Sequence, residues 1–178
     1  RFLRNKIELL IILMKKTQIE QITSSFILFA ISTLTILPFL FKVTPEFVDD
    51  EKEFKQLLQN LTNNVEFHAK QNILPALFFY PLSFDEEVSN FLESNVNILS
   101  SSRFAFFRSI PAIFSSFVAP IFFNFLCNEG TSLRTAFILS LMIPLDSSYI
   151  IRSRLFLPDC FIYFFSVVSL YFFSISIS

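Results

Sequence analysis

The chain has 178 residues, of which 53% are hydrophobic and only 16% are charged, with 27 phenylalanines and one glycine. Soluble domains carry about 25% charged residues, so this composition excludes an ordinary globular domain and indicates a membrane protein. The net charge of −1 gives no field that would attract nucleic acid. Because the chain starts at Arg1 and ends inside an apolar run, we interpret it as a fragment of a longer protein.

Four apolar segments are predicted as membrane-spanning helices, which gives an all-α polytopic membrane protein. The first, 22–42, is almost free of charge and long enough for a helix of about 30 Å, the thickness of the hydrocarbon core. The others are predicted near 104–126, from about Arg134 to an interruption at Asp146, and from about Cys160 onward. The predicted organisation is therefore a segment 1–21, a first span 22–42, a large loop 43–103 and further spans within 104–178.

The orientation follows from the basic residues that precede the first span. Segment 1–21 contains Arg1, Arg4, Lys6, Lys15 and Lys16, and the positive-inside rule places it in the cytosol. Loop 43–103, which is rich in acids, then lies on the opposite side. Its apolar piece 73–84 is too short to span and holds two prolines, so we expect it to lie in the interface.

Charged residues near the hydrocarbon are costly and mark candidate sites. They are predicted on one side of the membrane in four places: 49–51, Arg108, Asp146 and the segment 152–159. Arginines gathered there would hold an anionic group such as a phosphate, and a carboxylate would accept a proton from a nucleophile. The alternatives are a solvated acidic loop, and arginines that snorkel to the lipid headgroups.

Several stretches resemble one known family in the same order. In "DDEKEF", residues Asp50, Glu51 and Phe54 fit a motif F-D-E-x-x-F. In "SRLFLPDCFIYFF", Arg154 and Asp159 keep the spacing of a pattern S-R-x-I-L-L-D. The stretches "FRSIPAIFSSFVAPIFF", with Arg108, and "GTSLRTAFILSLMIPLDSSYII" are similar to that family's second and third spans. The family is that of the dolichyl-phosphate-mannose–protein mannosyltransferases, also called protein O-mannosyltransferases.

The resemblance implies the N-terminal portion of a GT-C glycosyltransferase fold, in a multi-pass protein of the endoplasmic reticulum membrane. It implies transfer of mannose from dolichyl phosphate mannose to Ser or Thr hydroxyls of lumenal proteins, with inversion at the anomeric carbon. It also implies a dimer with a homologous subunit. No cofactor or metal is expected.

The resemblance further implies roles for individual residues. Asp50 is the expected base and Glu51 orients the acceptor or the sugar. Arg108 and Arg154 are expected to bind the lipid phosphate, and Asp159 to fix the rotamer of an arginine. The family's H-P-P-L-x-K stretch corresponds to "FHAKQNILPAL", which keeps His68, a candidate substrate-binding residue, but lacks both prolines.

Two other functions remain open from the sequence. The altered stretch after His68 is compatible with a non-catalytic, divergent subunit that partners an active homologue. An unrelated polytopic protein, such as a transporter fragment, is the other alternative. As an isolated fragment we expect the chain to be unstable and inactive, because these four spans would lack the neighbouring spans of the enzyme.

Overall fold

The computed structural model describes residues 2–40, 101–153, 155 and 159–177, with side chains from residue 16 to 36 and from 108 onward in those ranges. Within them the secondary structure is helical, which confirms the all-α prediction. The helices are α1 (Phe2–Leu40), α2 (Ser101–Asn128), α3 (Leu133–Leu145), α4 (Ser147–Ser153) and α5 (Asp159–Ile177).

Three stretches of these helices are long and apolar enough to cross a membrane: Lys16–Ile36, Arg108–Asn128 and Asp159–Ile177. Helices α3 and α4 meet at an angle of 61° and together are compatible with a fourth, broken span. The described residues thus confirm a polytopic protein with three or four membrane helices.

Helix α1 runs without a break from Phe2, in the predicted segment 1–21, to Leu40, in the first predicted span. No proline or glycine occurs before Pro38, so nothing in the local sequence ends the helix at the change in polarity. The apolar window accordingly begins at Lys16. The side of the membrane on which each end lies stays a prediction.

The turn between α2 and α3 is built around the chain's single glycine. Gly130 has a φ of +80°, a left-handed conformation that glycine adopts without steric cost. Its N–H donates to the carbonyl of Cys127 and the N–H of Thr131 donates to that of Leu126, each at 3.1 Å. These bonds satisfy carbonyls at the end of α2, and Ser132 then caps α3 by accepting the N–H of Thr135.

The bend between α3 and α4 lies at Asp146, the predicted interruption. Pro144 stands in the last turn of α3, and the N–H of Asp146 donates to the carbonyl of Ile143 at 3.2 Å. The Asp146 carboxylate then accepts the N–H of Ser148 at 2.9 Å, and its carbonyl accepts the N–H of Ile150 at 3.0 Å. Asp146 therefore ends one helix and caps the next.

Contacts along α2 fix the direction of its neighbours. Helix α1 packs antiparallel to α2, since Leu28 shares a buried cluster with Phe123 and Ile36 packs with Ala112 further along. Helix α5 packs parallel to α2, since Phe161 near its start lies 4.9 Å from Phe114 and, further along both helices, Val167 lines one cavity with Val118 and Phe122.

Helix α3 runs back from Phe123, where Ala136 packs, and Tyr149 of α4 bonds to the carbonyl of Ser115. The C-terminal end of α1, the N-terminal halves of α2 and α5, and the α3–α4 bend therefore lie towards one end of the bundle. We call it the Arg108 end; it is defined by Arg108, Asp146 and Asp159.

Candidate active site

Arg108 lies inside the bundle. Its side chain has 0% exposure and stands at the first position of the apolar stretch Arg108–Asn128. A charge at such a place costs several kcal/mol unless it is paired or serves a polar site. A snorkelling arginine keeps its guanidinium in contact with the headgroups. Complete burial within the protein disfavours that alternative for Arg108.

The position of Arg108 along the bundle axis follows from the ring contacts between α2 and α5. Phe114 contacts Phe161 and Phe164 of α5, at 4.9 and 5.0 Å between ring centroids. Arg108 precedes Phe114 by less than two helical turns, about 9 Å along the axis. Because α2 and α5 are parallel, Arg108 lies at the level where the chain enters α5 near Asp159. The fold thus brings these two predicted site residues to the same end of the bundle.

Asp159 pairs with Arg152 across the connection between α4 and α5. The Arg152 Nη1 lies 3.3 Å from the Asp159 Oδ2, and the two side chains are 55% and 37% exposed. Such a partly exposed pair contributes at most about 1 kcal/mol to stability. It nevertheless restrains the direction of the Arg152 guanidinium and ties the end of α4 to the start of α5.

A cavity of about 580 Å³ lies between α2, α3, α4 and α5. Its polar wall consists of Asp146, Ser148, Tyr149, Arg152 and Tyr163. The Tyr149 hydroxyl donates to the carbonyl of Ser115 at 2.7 Å, which fastens α4 to α2. The rings of Tyr149 and Tyr163 lie 6.1 Å apart.

The two tyrosines and Arg152 were not among the predicted site residues. A signal in the sequence points to the tyrosines, since the chain has only four tyrosines against 27 phenylalanines. In such a chain, a hydroxyl on an aromatic ring marks a position with a polar partner. Arg152 is the first residue of the charged segment 152–159, and its contact with Asp159 singles it out.

Four predicted site residues lie outside the described part of the chain: Asp50, Glu51, His68 and Arg154. Their roles stay predictions. Helix α1, which precedes the acidic stretch in sequence, ends at Leu40 at the Arg108 end. Among the described residues, no group of three or more His, Cys, Asp or Glu side chains is placed to hold a metal ion.

The comparison with protein families gives one match. The family model of dolichyl-phosphate-mannose-protein mannosyltransferases matches residues 26–176, which is most of the chain. No curated protein and no solved structure matches it significantly. The matched range includes Arg108, Asp146 and Asp159. The chain belongs to the dolichyl-phosphate-mannose-protein mannosyltransferase family, whose members are polytopic membrane glycosyltransferases.

Proposed function

We propose that the protein transfers mannose from dolichyl phosphate mannose to Ser or Thr hydroxyls of proteins in the lumen of the endoplasmic reticulum. The family match over residues 26–176 is the observation that carries this proposal. In the proposed topology the N-terminus is cytosolic, and the Arg108 end faces the lumen. The proposal includes the GT-C architecture and a dimer with a homologous subunit.

The proposed reaction is a single displacement. The acceptor hydroxyl oxygen forms a bond to the anomeric carbon of mannose while the bond from that carbon to the phosphate oxygen breaks. Asp50 takes the hydroxyl proton, and dolichyl phosphate leaves with the electron pair of the broken bond. Attack opposite to the leaving group inverts the anomeric configuration. A single carboxylate base is sufficient for such a step, and Glu51 orients the acceptor or the sugar.

In this scheme Arg108 and Arg154 stabilise the negative charge that develops on the leaving phosphate. The complete burial of Arg108 supports its role, because a guanidinium inside a low-dielectric site stabilises an anion far more than one in water. Asp159 fixes the rotamer of Arg152, and this contact ties together the two ends of the connection that carries Arg154. His68 is the remaining proposed substrate-binding residue, and it rests on the sequence resemblance alone.

The test compares two neighbouring carboxylates in the full protein. Asp50→Asn keeps the shape of the side chain and removes its basicity, so mannosyl transfer to a Ser/Thr peptide should fall by roughly 10²–10⁴-fold in kcat. Asp49→Asn changes the adjacent acid, which stands where the family motif has its first Phe; it is the matched control and should retain activity. Equal turnover in the Asp50 variant and the unchanged protein would eliminate the catalytic assignment.

A second candidate function is a non-catalytic subunit that supports an active homologue. It is favoured by the stretch "FHAKQNILPAL", which lacks the two prolines of the family pattern. Under this function, transfer by the complex with the homologue would be unaffected by Asp50→Asn. Transfer would then be lost on substitution of the corresponding acid in the partner. Measuring both variants in the same purified complex separates the two functions.

A further inference from the structure

The cavity between α2, α3, α4 and α5 is amphipathic along the direction of the helices. Its apolar wall contains Val118 and Phe122 of α2 and Val167 of α5, and its polar wall lies at α4 and the α3–α4 bend. Val118 and Phe122 are one helical turn apart, about 6 Å along the axis, as are Tyr163 and Val167. A ligand that follows this cavity needs an apolar part parallel to the membrane helices and a polar part at the Arg108 end.

Both signs of charge occur on the polar wall. Arg152 uses a guanidinium N–H for Asp159, and its fork carries five N–H donors in all. Asp146 accepts one backbone N–H, while an ionised carboxylate offers about four acceptor sites. A purely anionic headgroup would meet the carboxylate of Asp146, and a purely cationic one would meet Arg152. A headgroup with both charges can pair with Arg152 and with Asp146 at the same time.

Tyr149 and Tyr163, the tyrosine pair of the cavity, also attract the positively charged part of such a headgroup. The rings of Tyr149 and Tyr163 are 6.1 Å apart and inclined at 56°, and both residues line the cavity beside Asp146. Aromatic faces attract a cation within about 6 Å of the ring centroid, and this is a common way to bind a quaternary ammonium. The acid and the two rings together suit an alkylammonium group.

We infer that this cavity binds a zwitterionic phospholipid. The phosphate contacts Arg152, the ammonium group lies at Asp146 and the tyrosine pair, and an acyl chain follows the apolar wall past Val118 and Val167. The volume of about 580 Å³ lies within the range of small-molecule sites, about 300–1,000 Å³. The inference does not depend on the proposed function, because the bound lipid is not the sugar donor.

The test is lipid retention by the full protein, purified in detergent and measured by native mass spectrometry. Equimolar phosphatidylcholine, phosphatidylethanolamine and phosphatidylglycerol are offered together. We expect one of the two zwitterionic lipids to be retained in preference to phosphatidylglycerol. Arg152→Gln and Asp146→Asn should each lower that retention by about tenfold, since each removes a charge-assisted contact. Arg134→Gln and Glu129→Gln, exposed charges at the opposite end, are the matched controls and should change nothing.

A variant that gains binding is also needed, because poor folding alone would lower lipid retention. Asp146→Lys makes the polar wall cationic, so it should reverse the preference towards phosphatidylglycerol. Preference of the unchanged protein for phosphatidylglycerol would contradict the inference. So would displacement of the bound lipid by dolichyl phosphate, which would make the cavity a donor site. Equal retention by all variants would show unspecific surface lipid and would also overturn it.

Discussion

The side chain of Asn124 links α1 to α2 by hydrogen bonds. Its Oδ1 accepts a hydrogen bond from Gln21 at 3.0 Å, and its Nδ2 donates to Ser25 Oγ at 2.9 Å and to the Pro120 carbonyl at 2.8 Å. The first two bonds cross between the helices. Asn124→Leu keeps a side chain of similar size and removes both interhelical bonds.

The expected loss of stability follows from those two bonds. Interhelical hydrogen bonds in membrane proteins contribute about 0.6 kcal/mol on average, with a maximum of about 1.7. The substitution should therefore lower the free energy of unfolding by about 1.2 kcal/mol, roughly an eightfold change in the folding equilibrium. Helix α1 also carries the chain towards Asp50, so a loosened contact with α2 should lower mannosyl transfer as well.

The assay is reversible unfolding by SDS in mixed micelles. Asn128→Leu makes the same change one turn later on α2, at an exposed position, and serves as the control. Gln21→Leu should lose about half as much stability as Asn124→Leu, and the double variant should show a coupling of about 0.6 kcal/mol. The reasoning is refuted if Asn124→Leu costs no more than Asn128→Leu, or if the Gln21 and Asn124 effects simply add.

Three further predictions concern other parts of the bundle. Arg108→Lys keeps the charge but loses the planar fork, so kcat/KM for mannosyl transfer should fall at least about tenfold. Unchanged kcat/KM would remove Arg108 from the site. Gly130→Ala places a Cβ at a φ of +80° and should cost about 1 kcal/mol in SDS unfolding, with Gly130→Asn costing less. Equal costs would contradict the left-handed turn. Tyr149→Phe removes the bond to the Ser115 carbonyl and should cost about 1 kcal/mol in the same assay. An unaffected unfolding curve would show that this bond does not fasten α4.

The fold class and the spans could be predicted because they depend on local composition. The uncharged stretch 22–41 is long enough to cross the hydrocarbon core, and this does not depend on which helices pack against it. The interruption near Asp146 was also predictable, since a charge after Pro144 is incompatible with a continuing apolar helix. The unbroken course of α1 was not predicted, because charged residues change polarity without ending a helix.

Less of the candidate site than of the fold could be predicted from the sequence. Arg108 was identified because an arginine in an apolar span is costly, but its complete burial depends on tertiary packing, which the sequence around it does not specify. The Arg152–Asp159 contact crosses a connection between two helices, and no sequence periodicity gives that distance. The cavity and its tyrosines likewise arise from the 61° bend, whose angle the residues around Asp146 do not specify.

The most direct test of the central claim is a distance between the acidic stretch and the two ends of the bundle. In a background with Cys127 and Cys160 replaced by Ala, Asp50→Cys is combined with Ser147→Cys at the Arg108 end or with Asn128→Cys at the opposite end. Both partner positions are exposed, and the 13 residues of α3, which are about 20 Å long, separate them along the bundle. A short bis-maleimide should cross-link residue 50 to 147 and not to 128. Cross-linking to 128 alone would place the acidic stretch across the membrane from Arg108 and contradict the account.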